Sequence, residues 1–202
     1  MSAFTATLSL YLSMAAFALA ASITPGPVNI LVLSSGVQYG FRPSLRLVFG
    51  ATAGFCLLLL MIGLGLHELL ETFPQLTTII QWAGVAFLLF MAWKLAMSDG
   101  ELGRGDAQSG PKAITGAVMQ WLNPKAWLAS IAGMGAYAAS GAPTLIWEFT
   151  AIYFVVCFVS VACWAYAGAF LSRFLGEPSR VQMFNRAMAV LLAASAAYLI
   201  LE

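Results

Sequence analysis

Apolar residues run along this chain in six blocks, at residues 4–37, 44–66, 76–97, 113–139, 145–171 and 183–201. A helix that crosses a bilayer needs about 20 apolar residues at about 1.5 Å each. Each block therefore predicts a membrane-crossing helix. The first and fourth are too long for a plain span. As one straight helix the first would reach about 50 Å, against a hydrocarbon core of about 30 Å. Both overlong blocks also carry an internal polar interruption. A long block with a break predicts two half-helices, or a span plus a re-entrant piece. The connections are short and mostly polar: 38–43, 67–75, the Gly-, Ser- and charge-rich hinge 98–112, the tight turn 140–143, and 176–179 before the last block.

The first interruption is Thr24-Pro25-Gly26-Pro27-Val28-Asn29. Proline inside a helix removes a hydrogen bond and clashes with the carbonyl four residues back. Pro25 and Pro27 thus deprive the carbonyls of Ala21 and Ile23 of helical partners. Gly26 allows a bend and a close approach. Thr24 and Asn29 offer side-chain hydrogen bonds beside the break. Past it, a helix restarting near Val28 presents unpaired N–H groups and the positive end of its dipole, a receptor for a carboxylate. The carbonyls before the break suit an ammonium. Together they fit a zwitterionic amino acid. The competing reading is a proline kink used only for packing.

The second interruption, Asn123-Pro124-Lys125, reads as a helix start, with Asn as N-cap and Pro at the first position. Lys125 is the most deeply placed charge along the chain, and a lysine within a membrane block points to function. It holds a substrate carboxylate or changes protonation during transport. Alternatively, the stretch before it is interfacial and Lys125 snorkels to cytoplasmic water. Gln120 and Thr115 lie along the same block and line the path in the first reading.

Composition agrees with a lipid environment. Of 202 residues, 61% are hydrophobic and 8% charged, against roughly 25% charged in soluble domains. A net charge of +1 makes no case for nucleic acid. The placement of the few charges predicts a topology. Arg42 and Arg46 follow block one; Lys94, Arg104 and Lys112 flank the hinge; Arg173, Arg180 and Arg186 lie around the last connection. The other two connections hold no Lys or Arg, only His67, Glu68 and Glu71, with Glu148 nearby. Basic residues favour the cytoplasmic side, so both termini are expected in the periplasm. The hinge divides the chain into halves 1–97 and 113–202 of one membrane domain. Three spans per half make the second half inverted. The breaks occupy corresponding places, as in inverted-repeat transporters. The expected fold is an all-α polytopic membrane protein of six transmembrane helices, two inverted three-helix repeats with broken first and fourth segments.

The remaining signals are structural. His67-Glu68-Leu69-Leu70-Glu71 superficially suggests a metal helix, but the chain has one His, so no metal or other cofactor is expected. Cys56, Cys157 and Cys163 lie in apolar runs and read as small buried or lipid-facing residues. Gly36/Gly40 and Gly50/Gly54 have the spacing of close helix packing, within or between subunits, which allows a homodimer. Trp82, Trp93, Trp147 and Trp164 read as packing or interfacial anchors. Ala18-Leu19-Ala20 has a small-x-small pattern, but no basic residue precedes it and the apolar run continues, so block one is read as a retained span.

Three stretches together resemble the LysE/RhtB family of amino-acid exporters. They are TPGPVNILVLSSGVQYGFRPSLRLVFGATAGF at 24–55, WAGVAFLLFMAWKLAMS at 82–98 and ITGAVMQWLNPKAW at 114–127. Within that family the neutral amino-acid branch, which includes cysteine/O-acetylserine exporters, is most similar, chiefly through TPGPVNILVLSS and AWK. The resemblance implies export of amino acids or close derivatives across the bacterial inner membrane, driven by the proton gradient. No Asp or Glu lies deep in a block, which leaves Lys125, the substrate itself or ordered water to carry the proton. It also argues against a strongly cationic substrate. The expected partners are the amino acid, protons and the lipid bilayer. Two other classes are weighed against this one: a membrane enzyme acting on a lipid-like substrate, which would need clustered acidic or His residues, and a membrane scaffold, for which the polar breaks would be dispensable. No catalytic residue set is evident.

Overall fold

A computed structural model describes residues 3–66, 72, 74–100 and 111–201. All regular structure among them is helical: α1 (Ala3–Ile23), α2 (Pro27–Tyr39), α3 (Phe41–Met61), α4 (Pro74–Ala96), α5 (Ala113–Trp121), α6 (Pro124–Tyr137), α7 (Pro143–Leu171) and α8 (Pro178–Leu201). A wider helical turn, Ile62–Leu66, continues α3 and ends at Gly65 with φ 106°. Four of these helices are long and apolar enough to cross a membrane: Phe4–Ile23, Phe41–Gly65, Thr78–Ala96 and Pro143–Leu171. The chain is thus an all-helical polytopic membrane protein. Helices α5 and α6, with 9 and 14 residues, are each shorter than the roughly 20 residues a span needs.

Both overlong blocks divide where proline demands it. Pro27 and Pro124 each stand at the first position of a new helix, where the missing N–H has no partner to lose. The halves are unequal. At 21 residues α1 is long enough to span, whereas α2 is about 20 Å long by its 13 residues. Helices α7 and α8 start two and five residues earlier than the apolar pattern predicts, because Pro143 and Pro178 open their first turns.

Two sequence expectations need correction. The polar stretch 38–43 is not a loop: α2 runs to Tyr39, α3 starts at Phe41, and Gly40 alone joins them. Gly40 has φ 80° and ψ 178°, a conformation costly for any residue with a Cβ. A Cβ there would meet nothing within 4 Å, so Gly40 serves the turn and not helix packing. Its partner Gly36 does pack: a Cβ would fall 2.3 Å from the Ala165 carbonyl of α7.

Small residues set the other contacts. A Cβ on Gly50 or Gly54 would overlap Ala113 or Ala117, so α3 and α5 run side by side at near backbone contact, in parallel. On the other side α1 runs parallel to α7, with Tyr11 beside Glu148 and Ile23 beside Trp164. Helices α3 and α7 cross antiparallel at the centre, where Thr52 Oγ1 donates to Cys157 Sγ and Cys56 Sγ to the Thr150 carbonyl. Phe55 stacks on Tyr153 there, ring centroids 4.4 Å apart. Helices α4 and α8 complete the bundle as a pair. The core is the apolar cluster of α3 and α7 with the inner faces of α1, α2, α4, α6 and α8 and Met119 of α5. Trp82, Trp93 and Trp147 are exposed on its outside.

Candidate functional site

The break after α1 leaves a run of carbonyls without helical donors, and side chains supply them. Thr24 Oγ1 folds back to the Ala20 carbonyl at 2.6 Å. Asn29 Nδ2 donates to the Ser22 and Thr24 carbonyls, at 2.9 and 3.1 Å. Trp164 Nε1, from α7, donates to the Ile23 carbonyl at 3.2 Å. Lys125 Nζ, from α6, donates to the Thr24 carbonyl at 2.6 Å. The two breaks, about a hundred residues apart in sequence, therefore touch through a charge-assisted hydrogen bond, a strong type.

The second break is built as its sequence indicates. Asn123 caps α6, its Oδ1 accepting from the Lys125 N–H at 3.2 Å. Its Nδ2 leans toward Gln120 Oε1 at 3.5 Å. The cap fixes the first turn of α6 and so aims Lys125 across at α2. There Gly26 leaves just enough room, since a Cβ on it would fall 3.3 Å from Lys125 Cδ. Lys125 is half-buried. It borders the same cavity as Phe55, Tyr153 and Cys157, and Cys157 is the fifteenth of the 29 residues of α7. The amine thus sits at the depth of the bundle's middle and not at its rim.

A small cavity of about 30 Å³ lies between these groups, room for one or two waters. Gly26, Asn29, Gln120, Asn123 and Lys125 line it, among the residues singled out from sequence; Thr24, Pro25, Pro27 and Pro124 do not. Thr24 contributes its backbone carbonyl instead of its hydroxyl, and it and Pro25 are exposed at the edge of the bundle. Pro27 is buried, starting α2. Thr115 lines a different, larger cavity. Of the carbonyls expected to receive an ammonium, that of Ile23 accepts from Trp164, and the neighbouring Ser22 and Thr24 carbonyls accept from Asn29 and Lys125.

Sequence reading missed Ser22, Phe55, Tyr153 and Cys157, all on the same cavity. Ser22 Oγ faces Tyr153 and Cys157 yet makes no hydrogen bond of acceptable geometry. Ser22, between the two carbonyls that the prolines leave without partners, was the available clue; the others are ordinary members of apolar runs. The first-turn N–H groups of α2 also remain open, since Gly26 is an N-cap without a side-chain cap. The cavity thus presents donors suited to a carboxylate, and no Asp or Glu lines it among the described residues. No group of three His, Cys, Asp or Glu able to hold a metal occurs among the described residues. His67, Glu68 and Glu71 lie outside them.

Long apolar helices around a small polar cavity suit a membrane transporter. The LysE type translocator family model matches residues 19–202, and the chain belongs to that family; it is a transporter and not an enzyme. Among its relatives, the cysteine/O-acetylserine efflux protein of Salmonella typhimurium is 29% identical over 162 residues, covering 78% of this chain and 81% of the relative. The cysteine/O-acetylserine efflux protein of Escherichia coli K12 is 28% identical over 179 residues, covering 87% and 90%. No solved structure matches the chain.

Proposed function

We propose that this protein exports small neutral amino acids or close derivatives, with cysteine and O-acetylserine the first candidates, across the bacterial inner membrane. The observation that carries the reading is the hydrogen bond from Lys125 Nζ to the Thr24 carbonyl. It joins two proline breaks at mid-depth into one site. In the arrangement described above, the lysine ammonium occupies the carbonyl that a substrate ammonium would seek. The two alternate: Lys125 releases its proton to the cytoplasm and yields the Thr24 carbonyl to the substrate, and a proton taken from the periplasmic side recharges the lysine and expels the substrate. Exchange of one proton for one substrate ammonium at one carbonyl couples export to the proton gradient without any membrane carboxylate. The substrate carboxylate sits at the open first turn of α2, beside Gln120.

Six crossings in two inverted halves, 1–97 and 113–202 joined by 98–112, fit this mechanism. The parallel packing of α5 on α3 repeats that of α1 on α7. The antiparallel crossing of α3 and α7 maps onto itself under such a relation, as does the α4–α8 pair. On this reading α1–α2 and α5–α6 are the broken crossings, each passing the midplane as two shorter helices.

The test is efflux from proteoliposomes loaded with L-cysteine or O-acetyl-L-serine, with and without an imposed pH gradient. Export above protein-free vesicles, accelerated by the gradient, is expected. Release no faster than from protein-free vesicles for every small neutral amino acid tried would refute the reading.

A further inference from the structure

A second, larger cavity of about 440 Å³ lies between the C-terminal turns of α2 and α4 and the start of α5. That volume is within the range of ligand pockets, whereas the space at Lys125 is not. Its polar lining includes Ser34, Gln38 and Tyr39 of α2, Lys94 of α4, and Lys112 and Thr115 at the start of α5. Helix α2 passes from Asn29 at the small cavity to Ser34 at the large one, and α5 from Gln120 to Thr115. The two cavities therefore lie one after the other along the same pair of helices.

Among the described residues the charge bordering the larger cavity is of one sign: Lys94 and Lys112 line it, no Asp or Glu does, and neither lysine makes an ion pair. Ser34 is 1% exposed, and its Oγ has no hydrogen-bond partner. A buried hydroxyl without a partner is unfavourable. Two cations over a polar floor raise the local concentration of anions.

We infer that this cavity is an entry site on the cytoplasmic side that binds the carboxylate of the substrate before it reaches Lys125. Lys94 and Lys112 attract the carboxylate, and Thr115 hydrogen-bonds to it. The substrate ammonium, with no acid to hold it there, is left as the free end. The identity of the ligand as an amino acid rests on the export reading above; the anion selectivity of the cavity does not.

Charge-selective labelling separates the two. Thr115→Cys is introduced with Cys163→Ser, since Cys163 is the exposed cysteine and Cys56 and Cys157 are buried. In inside-out vesicles, an anionic thiosulfonate should label position 115 about tenfold faster than a cationic one of similar size. Lys94→Gln with Lys112→Gln should bring the two rates to near equality. O-acetyl-L-serine should slow labelling of the parent, and its methyl ester, which lacks the carboxylate, should not. Equal rates for the two reagents in the parent, or equal protection by acid and ester, would overturn the inference, even where export of O-acetyl-L-serine is intact. Conversely, anion-selective labelling with carboxylate protection but no export upholds the entry site and removes the export reading. Where export is measurable, the double lysine variant should raise the cytoplasmic KM several-fold with the maximal rate little changed, and Lys→Arg at both positions should restore it.

Discussion

Residue by residue, the site is a contest for a few backbone carbonyls. Lys125 and Asn29 reach the same acceptor, the Thr24 carbonyl, from opposite sides of the break, but their roles differ. Asn29 satisfies buried backbone, so Asn29→Ala leaves the Ser22 and Thr24 carbonyls short of donors. A loss of about 1–3 kcal/mol is expected, read as a lowered melting temperature of the purified protein in detergent. Lys125→Met keeps the length of the side chain and removes the charge. It should leave membrane insertion and melting nearly unchanged and cut export by about ten- to a hundredfold, from hydrogen bonds to a charged group worth about 1.5–3 kcal/mol. Wild-type export by a well-inserted Lys125→Met protein would take the lysine out of the mechanism. The proline, glycine and Asn-cap chemistry here was legible in the sequence because it is local: it acts within four or five residues. What Lys125 touches is not local. It depends on how α6 lies against α2, and no pattern within either stretch encodes that. Tyr153 and Phe55 were illegible for a related reason, since an aromatic residue in an apolar run looks the same whether it faces lipid, core or cavity.

At the scale of the helices, glycine decides how close neighbours lie. Gly50 and Gly54 let α3 meet α5 at backbone distance, and this places Gln120 and the Asn123 cap beside α2. Gly50→Ala should cost at least about 1–3 kcal/mol, because its Cβ would fall 1.8 Å from the Ala113 carbonyl and helix backbone yields poorly. Gly135→Ala on α6 meets nothing within 4 Å and should be neutral or slightly stabilising through helix propensity. Thermal melts of the two variants, side by side, check the contrast; equal melting temperatures would mean α3 and α5 are not so closely apposed. Spacing alone predicts the packing of Gly50 and Gly54 but misreads Gly40. The same three-residue interval serves a contact in one place and a one-residue turn in another, and only the φ of 80° at Gly40 distinguishes them. The helix starts at Pro143 and Pro178 were likewise hidden by a rule tuned to apolarity, since proline opens a helix before the apolar run begins.

For the whole molecule, the two cavities give the bundle a direction. The small one lies around Lys125, and the large one beside Lys94 and Lys112. Where basic residues mark the cytoplasm, the large cavity lies on the cytoplasmic side of the small one. Ser140 and Glu177, both exposed, report on that orientation. Ser140→Cys should react with an impermeant thiol reagent from the periplasmic side only, and Glu177→Cys from the cytoplasmic side only. Labelling of both from one side would contradict the odd number of crossings between them. In the sequence, charge alternation is what predicts this orientation. The unequal lengths of α1 and α2 were not readable, because hydropathy cannot locate the midplane within a continuous apolar block.

Counterflow tests the central claim, that the two breaks form one substrate site, without depending on the proton gradient. Proteoliposomes of matched protein content and orientation would be preloaded with unlabelled O-acetyl-L-serine or L-cysteine, and uptake of the labelled compound followed. The wild type should accumulate label transiently, and Asn29→Ala and Lys125→Met, one from each break, should both lose most of that exchange. Wild-type exchange in both variants, with the proteins shown to be inserted, would contradict the account.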